Sequence, residues 1–203
     1  MAGPRGILFH AMASPVRKRA TYDDLLEVPE HLVAEIVDGD LQVSPRPAGP
    51  HTLAASGLGV SIGGPFAFGR GGPGGWWILD EPELHLCEDI LVPDLAGWRR
   101  ERMPAVEDVP YFSLAPDWAC EVLSPSTERL DRVRKLPVYA REGVCHLWLV
   151  NPASRTLEVL RLQTGNWLLG ATHGGNDLIR AEPFEAVELD LGALWGERPP
   201  ANP

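Results

Sequence analysis

The sequence predicts an α/β fold, a mixed β-sheet with helices packed on it. Three observations carry that expectation. Two alternating apolar segments flank Asp38-Gly39 near the start; helical spacing interrupts the strand-like segments after residue 50 and again after residue 126; and strands resume beyond that second helix. With 203 residues and 44% apolar side chains, the chain can bury roughly two thirds of the surface its unfolded form would expose, and it needs neither disulfides nor a structural metal. One domain is expected over residues 21–196, with a flexible leader at 1–20 and a Pro-rich tail at 197–203.

Thr21 with Asp24 three residues on, followed by Leu25 and Leu26, reads as a capped short helix that Pro29 ends. Residues 32–37 (LVAEIV) and 40–44 (DLQVS) form a hairpin, because Asp38-Gly39 supplies the positive φ angles of a tight two-residue turn. Alternation sets Val33, Glu35 and Val37 on one face of its first strand and Leu32, Ala34 and Ile36 on the other. A helix is expected over 50–68, with Leu53, Leu58 and Ile62 at helical spacing and Gly57, Gly59 and Gly63 weakening it. Gly69 to Gly75 is a loop. Neither lysine follows a glycine and no G-x-G-x-x-G joins a strand to a helix, so it is not read as a phosphate cradle.

Strands follow at 76–79, 83–86, 90–98 and 117–123 (DWACEVL), the last stopped by Ser124-Pro125-Ser126. Ser126 or Thr127 is placed to cap a helix carrying Leu130, Val133 and Leu136 on one stripe. Pro137 should kink that helix and Gly143 end it. The most apolar strand, 144–150, comes next, then 156–162 and 166–169 joined at Thr164-Gly165, and a strand near 186–191.

Twenty-eight acidic against 18 basic residues leave a formal charge of −10, which excludes a protein that coats nucleic acid through a general basic surface. The three cysteines, Cys87, Cys120 and Cys145, are widely spaced and form no C-x-x-C pair, so a reducing, cytoplasmic setting is expected. No segment approaches the ~18 apolar residues of a membrane span. The histidines form no HExxH or close pair, which removes a zinc-hydrolase reading. Trp76, Trp77, Trp98, Trp118 and Trp148 fall mostly in strands and are expected in the core.

Three acids sit inside apolar strands where solubility does not require them: Glu35 in VAEIV, Asp94 in LVPDLAGW and Glu121 in ACEVL. A buried carboxylate costs several kcal/mol unless it meets a cation or hydrogen-bond donors, so three of them point to a shared counter-charge. Only two of the 18 basic residues are lysines, Lys18 and Lys135, and Lys135 lies on the helix after the Glu121 strand.

Pro93-Asp94, then Glu121 near a strand end, then a helix bearing Lys135 resembles the PD-(D/E)XK nuclease superfamily. More closely, the chain resembles the Uma-type restriction endonuclease family over about Thr21 to Leu162. The resemblance is carried by AEIVDGDLQVSP, His51 at the start of the next helix, ILVPDLAGW, CEVLSPST, then Asp131, Lys135 and Tyr139, and finally GVCHLWLVNP. It implies a restriction-endonuclease-like core and a Mg²⁺ site, with Mn²⁺ as a substitute, held by Asp94, Glu121 and the main-chain carbonyl of Val122. Lys135 would orient the attacking water and Glu35 would be a third, outer acid. The implied substrate is a nucleic-acid phosphodiester, with DNA favoured, and the implied assembly is a homodimer, because a duplex cutter needs two sites.

The simplest superfamily motif has lysine two residues after the glutamate, where this chain has Leu123; the resemblance to the Uma-type family implies a lysine on the following helix instead, which matches Lys135, and the reach of a lysine side chain permits that relocation. That departure keeps open a second reading, a nuclease fold that binds or regulates without cutting. A third, a metal-free two-carboxylate hydrolase, has no residue selecting it. His51, Ser124, Asp131 and Tyr139 are candidates for supporting roles, with helix capping favoured for Ser124 and core packing an equal alternative for Tyr139. Arg99, Arg100, Arg102, Arg129, Arg132 and Arg134 form the candidate phosphate-tracking surface, interleaved with Glu101, Glu128 and Asp131.

Overall fold

A computed structural model describes residues 18–197. The leader expected at 1–20 and the tail expected at 197–203 fall outside it, apart from residues 18–20 and 197. The Ala20 N–H donates to the Gly39 carbonyl at 2.8 Å. Helix α1 (Tyr22–Leu26) carries the full capping box: Thr21 and Asp24 each accept from the other's backbone N–H. The hairpin pairs β1 (Leu32–Val37) with β2 (Asp40–Pro45) through Val37↔Asp40, with φ of 53° at Asp38 and 77° at Gly39.

Helix α2 (Gly49–Ile62) continues into a wider π-helical turn, Gly63–Ala67, closed by the Phe68 N–H on the Gly63 carbonyl. Then come β3 (Trp76–Asp80), β4 (Leu84–Leu86), β5 (Asp89–Leu91), β6 (Leu95–Arg99) and β7 (Trp118–Val122). The strand expected across 90–98 is therefore two strands, and they belong to different sheets. Pro93 divides them, since it has no N–H to offer a ladder.

The helix after β7 is built in three pieces, α3 (Glu128–Leu130), a π-helical turn (Asp131–Lys135) and α4 (Leu136–Arg141). The expected Pro137 kink is instead this widened turn just before the proline, where the Leu136 N–H reaches Asp131, five residues back. Val133, expected on the buried stripe, is 61% exposed, while Asp131 and Lys135 point inward. Neither Ser126 nor Thr127 caps α3 with its side chain; the Ser124 carbonyl and hydroxyl accept from the Thr127 N–H instead.

The chain closes with β8 (His146–Asn151), β9 (Thr156–Gln163), β10 (Asn166–Gly174), β11 (Leu178–Ile179), β12 (Leu189–Asp190) and α5 (Leu191–Leu194). The strand expected near 186–191 is only the two residues of β12, because Asp190 caps α5 through the Gly192 N–H. The main sheet has the order β10-β9-β8-β7-β6-β3, with β7 and β8 parallel and every other pair antiparallel. A second sheet, β2-β1-β5-β4, packs beside it. This is the mixed α/β architecture expected.

One face of β7 (Trp118, Cys120, Val122) meets Trp148, Phe184 and the Ala54, Leu58 and Ile62 face of α2. The Trp118 and Trp148 rings meet edge-on at 5.3 Å, and Phe184 sits 5.0 Å from Trp118. Gly97 lets these rings close on β6, since a Cβ there would lie 3.1–3.3 Å from Ile78, Trp118 and Trp76. The other face (Ala119, Leu123) packs against Val138 and Tyr139 of α4 and against Val37 of β1. Among the described residues no helix is long and apolar enough to cross a membrane.

Candidate active site

Glu121 lies in the middle of that second face. Continuing the β6–β7 register one step beyond Leu95↔Cys120 sets Asp94 opposite Glu121, and residues directly opposite in an antiparallel pair share a face. Asp94 Oδ2 accepts from the Val122 N–H at 2.7 Å, which fixes its carboxylate against the end of β7. Glu35 arrives from the second sheet: alternation along β1 turns it to the side of Val37, where its Oε1 accepts from the Val92 N–H at 2.8 Å. Lys135 arrives from the π-helical turn, 97% buried. Its Nζ is 2.9 Å from Glu35 Oε1, 3.3 Å from both Glu121 oxygens and 3.2 Å from Asp131 Oδ1. The Tyr139 hydroxyl, one helical turn on, donates to Glu121 Oε1 at 2.6 Å.

His51, at the start of α2, sets Nε2 3.2 Å from Asp94 Oδ1. Glu35, His51, Asp94, Glu121, Val122, Thr127, Asp131 and Lys135 thus line one cavity of about 50 Å³, which opens past Ser44, Pro45, Pro47 and Glu81. Ser124 lies outside this group and turns the chain toward Ser126 and Thr127, as a capping residue does. Thr127, which the sequence places only as a candidate cap, lines the cavity and hydrogen-bonds Asp131. The signal was local, since Thr127 and Asp131 are four residues apart at the start of a helix.

Burial raises the Glu121 carboxyl well above the ordinary range; the Lys135 ammonium opposes this, while Asp131, Asp94 and Glu35 add to it. Burial likewise lifts Glu35 and Asp131 against the pull of Lys135. Burial disfavours the Lys135 ammonium too, but Glu121, Glu35 and Asp131 more than compensate, so its pKa is well above normal. Lys135 is therefore a permanent cation and a donor. Burial and Glu121 hold the Tyr139 hydroxyl protonated. Burial lowers His51, and the hydrogen bond and charge of Asp94 reverse that to a net rise.

The family model described as "Uma2: Putative restriction endonuclease" matches residues 19–192. The chain belongs to the Uma2 family. A solved structure, a "putative nuclease belonging to DUF820 from Anabaena variabilis", shares this Uma2 chain's fold at a TM-score of 0.70 and 23% identity, covering 87% of this chain and 98% of the other. No curated protein matches. The Uma2 fold is thus that of a nuclease-like protein, and the Uma2 match spans every element that supplies the cavity.

The donor set of this Uma2 chain fits a hard divalent cation. Glu35, Asp94, Glu121 and Asp131 face one ammonium and one imidazole, with Glu81 also in the lining, and oxygen is the only donor that these acids offer. Among the described residues no three His, Cys, Asp or Glu side chains form a metal-holding group. An ion here would rely on two carboxylates, a carbonyl and water, the sparse protein ligation that Mg²⁺ accepts. Of the six arginines expected to track phosphates, Arg129 is exposed and the other five are otherwise engaged. Arg132 forks onto Glu158 at 2.8 Å, Arg134 spans Asp38, Asp40 and the Val37 carbonyl, Arg102 pairs with Asp117, and Arg99 and Arg100 lie over Trp76 and Trp77.

Proposed function

We propose that this protein is a divalent-metal-dependent endonuclease that hydrolyses phosphodiester bonds in DNA, with Mg²⁺ as its ion and Mn²⁺ as a substitute. One observation supports it above the others: Asp94, Glu121, Glu35 and Asp131 meet in one small cavity in which the cationic side chains are Lys135 and His51. The description of the family as restriction endonucleases supports DNA over RNA as the substrate. Cutting both strands of a duplex calls for two sites, so the proposed assembly is a homodimer, in the cytoplasm.

Asp94, Glu121 and the Val122 carbonyl would hold the ion. When bound, it supplies positive charge for the phosphate oxygens and lowers the pKa of water. Tyr139 fixes one Glu121 oxygen by donating to it, and the Val122 N–H fixes one Asp94 oxygen, so neither carboxylate can swing away. Glu35 and Asp131 hold the Lys135 ammonium from two sides. Because Lys135 stays protonated, it orients a water and stabilises charge developing on phosphate, and it does not abstract a proton. Leu123, where the simplest motif has lysine, belongs to the apolar core that also holds Val138 and Leu149, and the ammonium in this site is that of Lys135 on the helix.

Asp94→Asn tests this reading. Cleavage of duplex DNA in Mg²⁺ should fall about 10³-fold, and calorimetric Mg²⁺ binding should vanish. Unchanged cleavage would remove Asp94 from the chemistry; absent Mg²⁺ and Mn²⁺ binding by the wild type would favour the non-cutting reading.

A further inference from the structure

The mouth of the cavity carries one exposed cation that the proposed chemistry does not use. Arg46 follows β2 between Pro45 and Pro47, both of which line the cavity. Its side chain is 53% exposed, and its guanidinium donates to Glu81 Oε2 at 3.2 Å and to the Glu30 carbonyl at 3.2 Å. Glu81 lines this cavity and also a neighbouring cleft of about 460 Å³ between α1 and β1, which Arg46 borders as well. Val33, Glu81 and Val92 line both hollows, so the cleft lies directly beside the cavity.

Glu81 is held at this junction by its backbone. Its φ of 43° lies in the left-handed region, a conformation a glutamate adopts at a cost, and its N–H donates to the carbonyl of Asp94 at 3.1 Å. The strained residue is thereby tied to a proposed metal ligand. Among the residues lining the two hollows, Lys135 is buried within carboxylates and His51 faces Asp94, so Arg46 is the cation a phosphate arriving from solvent meets. An exposed ion pair contributes at most about 1 kcal/mol, so a phosphate can displace Glu81 from Arg46 at little cost.

Resting on the endonuclease reading, we infer that Arg46 binds a backbone phosphate of the substrate strand beside the scissile site, and that Glu81 gates it by competing for the same guanidinium. Arg46 offers a planar fork suited to two phosphate oxygens, and Glu81 occupies one of its nitrogens in the free protein. Substrate binding exchanges one carboxylate for one phosphate. Glu81 then stands as an unpaired negative charge near the strand, which limits affinity, while the Arg46–phosphate contact adds about one unit to the salt slope.

The two partners should act with opposite sign. Binding of a fluorescein-labelled duplex DNA to the full chain, read by anisotropy in Ca²⁺, is compared for wild type, Arg46→Ala, Arg46→Lys and Glu81→Gln over about 50 to 200 mM salt. Arg46→Ala should weaken Kd about 5-fold and lower the salt slope by about 1, Arg46→Lys should lie between, and Glu81→Gln should tighten Kd about 3-fold. An ion pair with only a structural role would make Arg46→Ala and Glu81→Gln weaken binding alike; that result, or no change in either, overturns the inference while leaving the nuclease reading intact. A wild type that binds neither DNA nor RNA overturns both.

Discussion

The two faces of β7 are equally buried and chemically opposite. Trp118, Cys120 and Val122 enter an aromatic core with Trp148 and Phe184, whereas Glu121, between them in sequence, meets a lysine, a tyrosine and three further carboxylates. The period-two alternation of a strand permits both within five residues. Each large side chain on the first face gains from leaving water. On the second, burial raises Glu121, Glu35 and Asp131 against their preference to ionise, so those three groups oppose folding except where Lys135 and the Tyr139 hydroxyl offset them. Stability should therefore reside on one side of the strand and chemistry on the other.

The sharpest way to break that contrast is Glu121→Gln. Cleavage should drop by about 10³ to 10⁴-fold, while the melting temperature holds or rises, because a neutral amide can still accept from Tyr139 and no longer needs a counter-charge. A variant that unfolds would make both faces structural. Next in size is Trp148→Ala on the opposite side, which removes a fully buried ring and its indole hydrogen bond to the Glu182 carbonyl. It should cost about 3 to 5 kcal/mol in denaturant unfolding and leave cleavage by the remaining folded protein within about 2-fold. A larger loss of activity would mean that the aromatic core positions the site.

Lys135 is the residue on which the contrast is least clean, since it serves both ends. Lys135→Met should remove activity and destabilise by about 3 kcal/mol, because it strands buried carboxylates. Adding Glu35→Gln should restore about 1 to 2 kcal/mol of stability without restoring cleavage, a coupling read from a double-mutant cycle. Additive losses would show that the Glu35–Lys135 contact of 2.9 Å carries little energy.

How far the sequence reveals this arrangement depends on how local each cause is. The hairpin and the capped first helix are legible because Asp38-Gly39 and Thr21–Asp24 act within four residues. Glu35, Asp94 and Glu121 stand out as charges inside apolar strands, and Lys135 as one of two lysines among many arginines. The inward face of the site helix is not legible, because a 3.6-residue period turns Val133 inward and the π-helical turn shifts that frame, exposing Val133 and burying Asp131 and Lys135. Partners distant in sequence leave no local trace. Arg134 reads as a phosphate contact until Asp38 and Asp40, more than 90 residues earlier, are found beside it, and Arg46 gains its place only through Glu81.

The smallest expected effect concerns pH. Glu121, Glu35 and Asp131 have folded pKa values above their unfolded ones, so in the interval between the two the folded state binds more protons than the unfolded. Stability is then lost as pH rises from the ordinary carboxylate range through the folded pKa, and the full penalty applies above it. A divalent ion would offset that penalty only where the carboxylates are ionised. Saturating Mg²⁺ should therefore raise the melting temperature more at pH 8 than at pH 5.5, by about 2 to 4 °C for each kcal/mol of difference, as read by differential scanning fluorimetry. In Glu121→Gln the pH dependence of the Mg²⁺ shift should shrink, whereas Trp148→Ala should keep it at a lower baseline. An equal Mg²⁺ shift at both pH values would mean that the ion binds elsewhere and that the charged face of β7 is balanced by the protein alone.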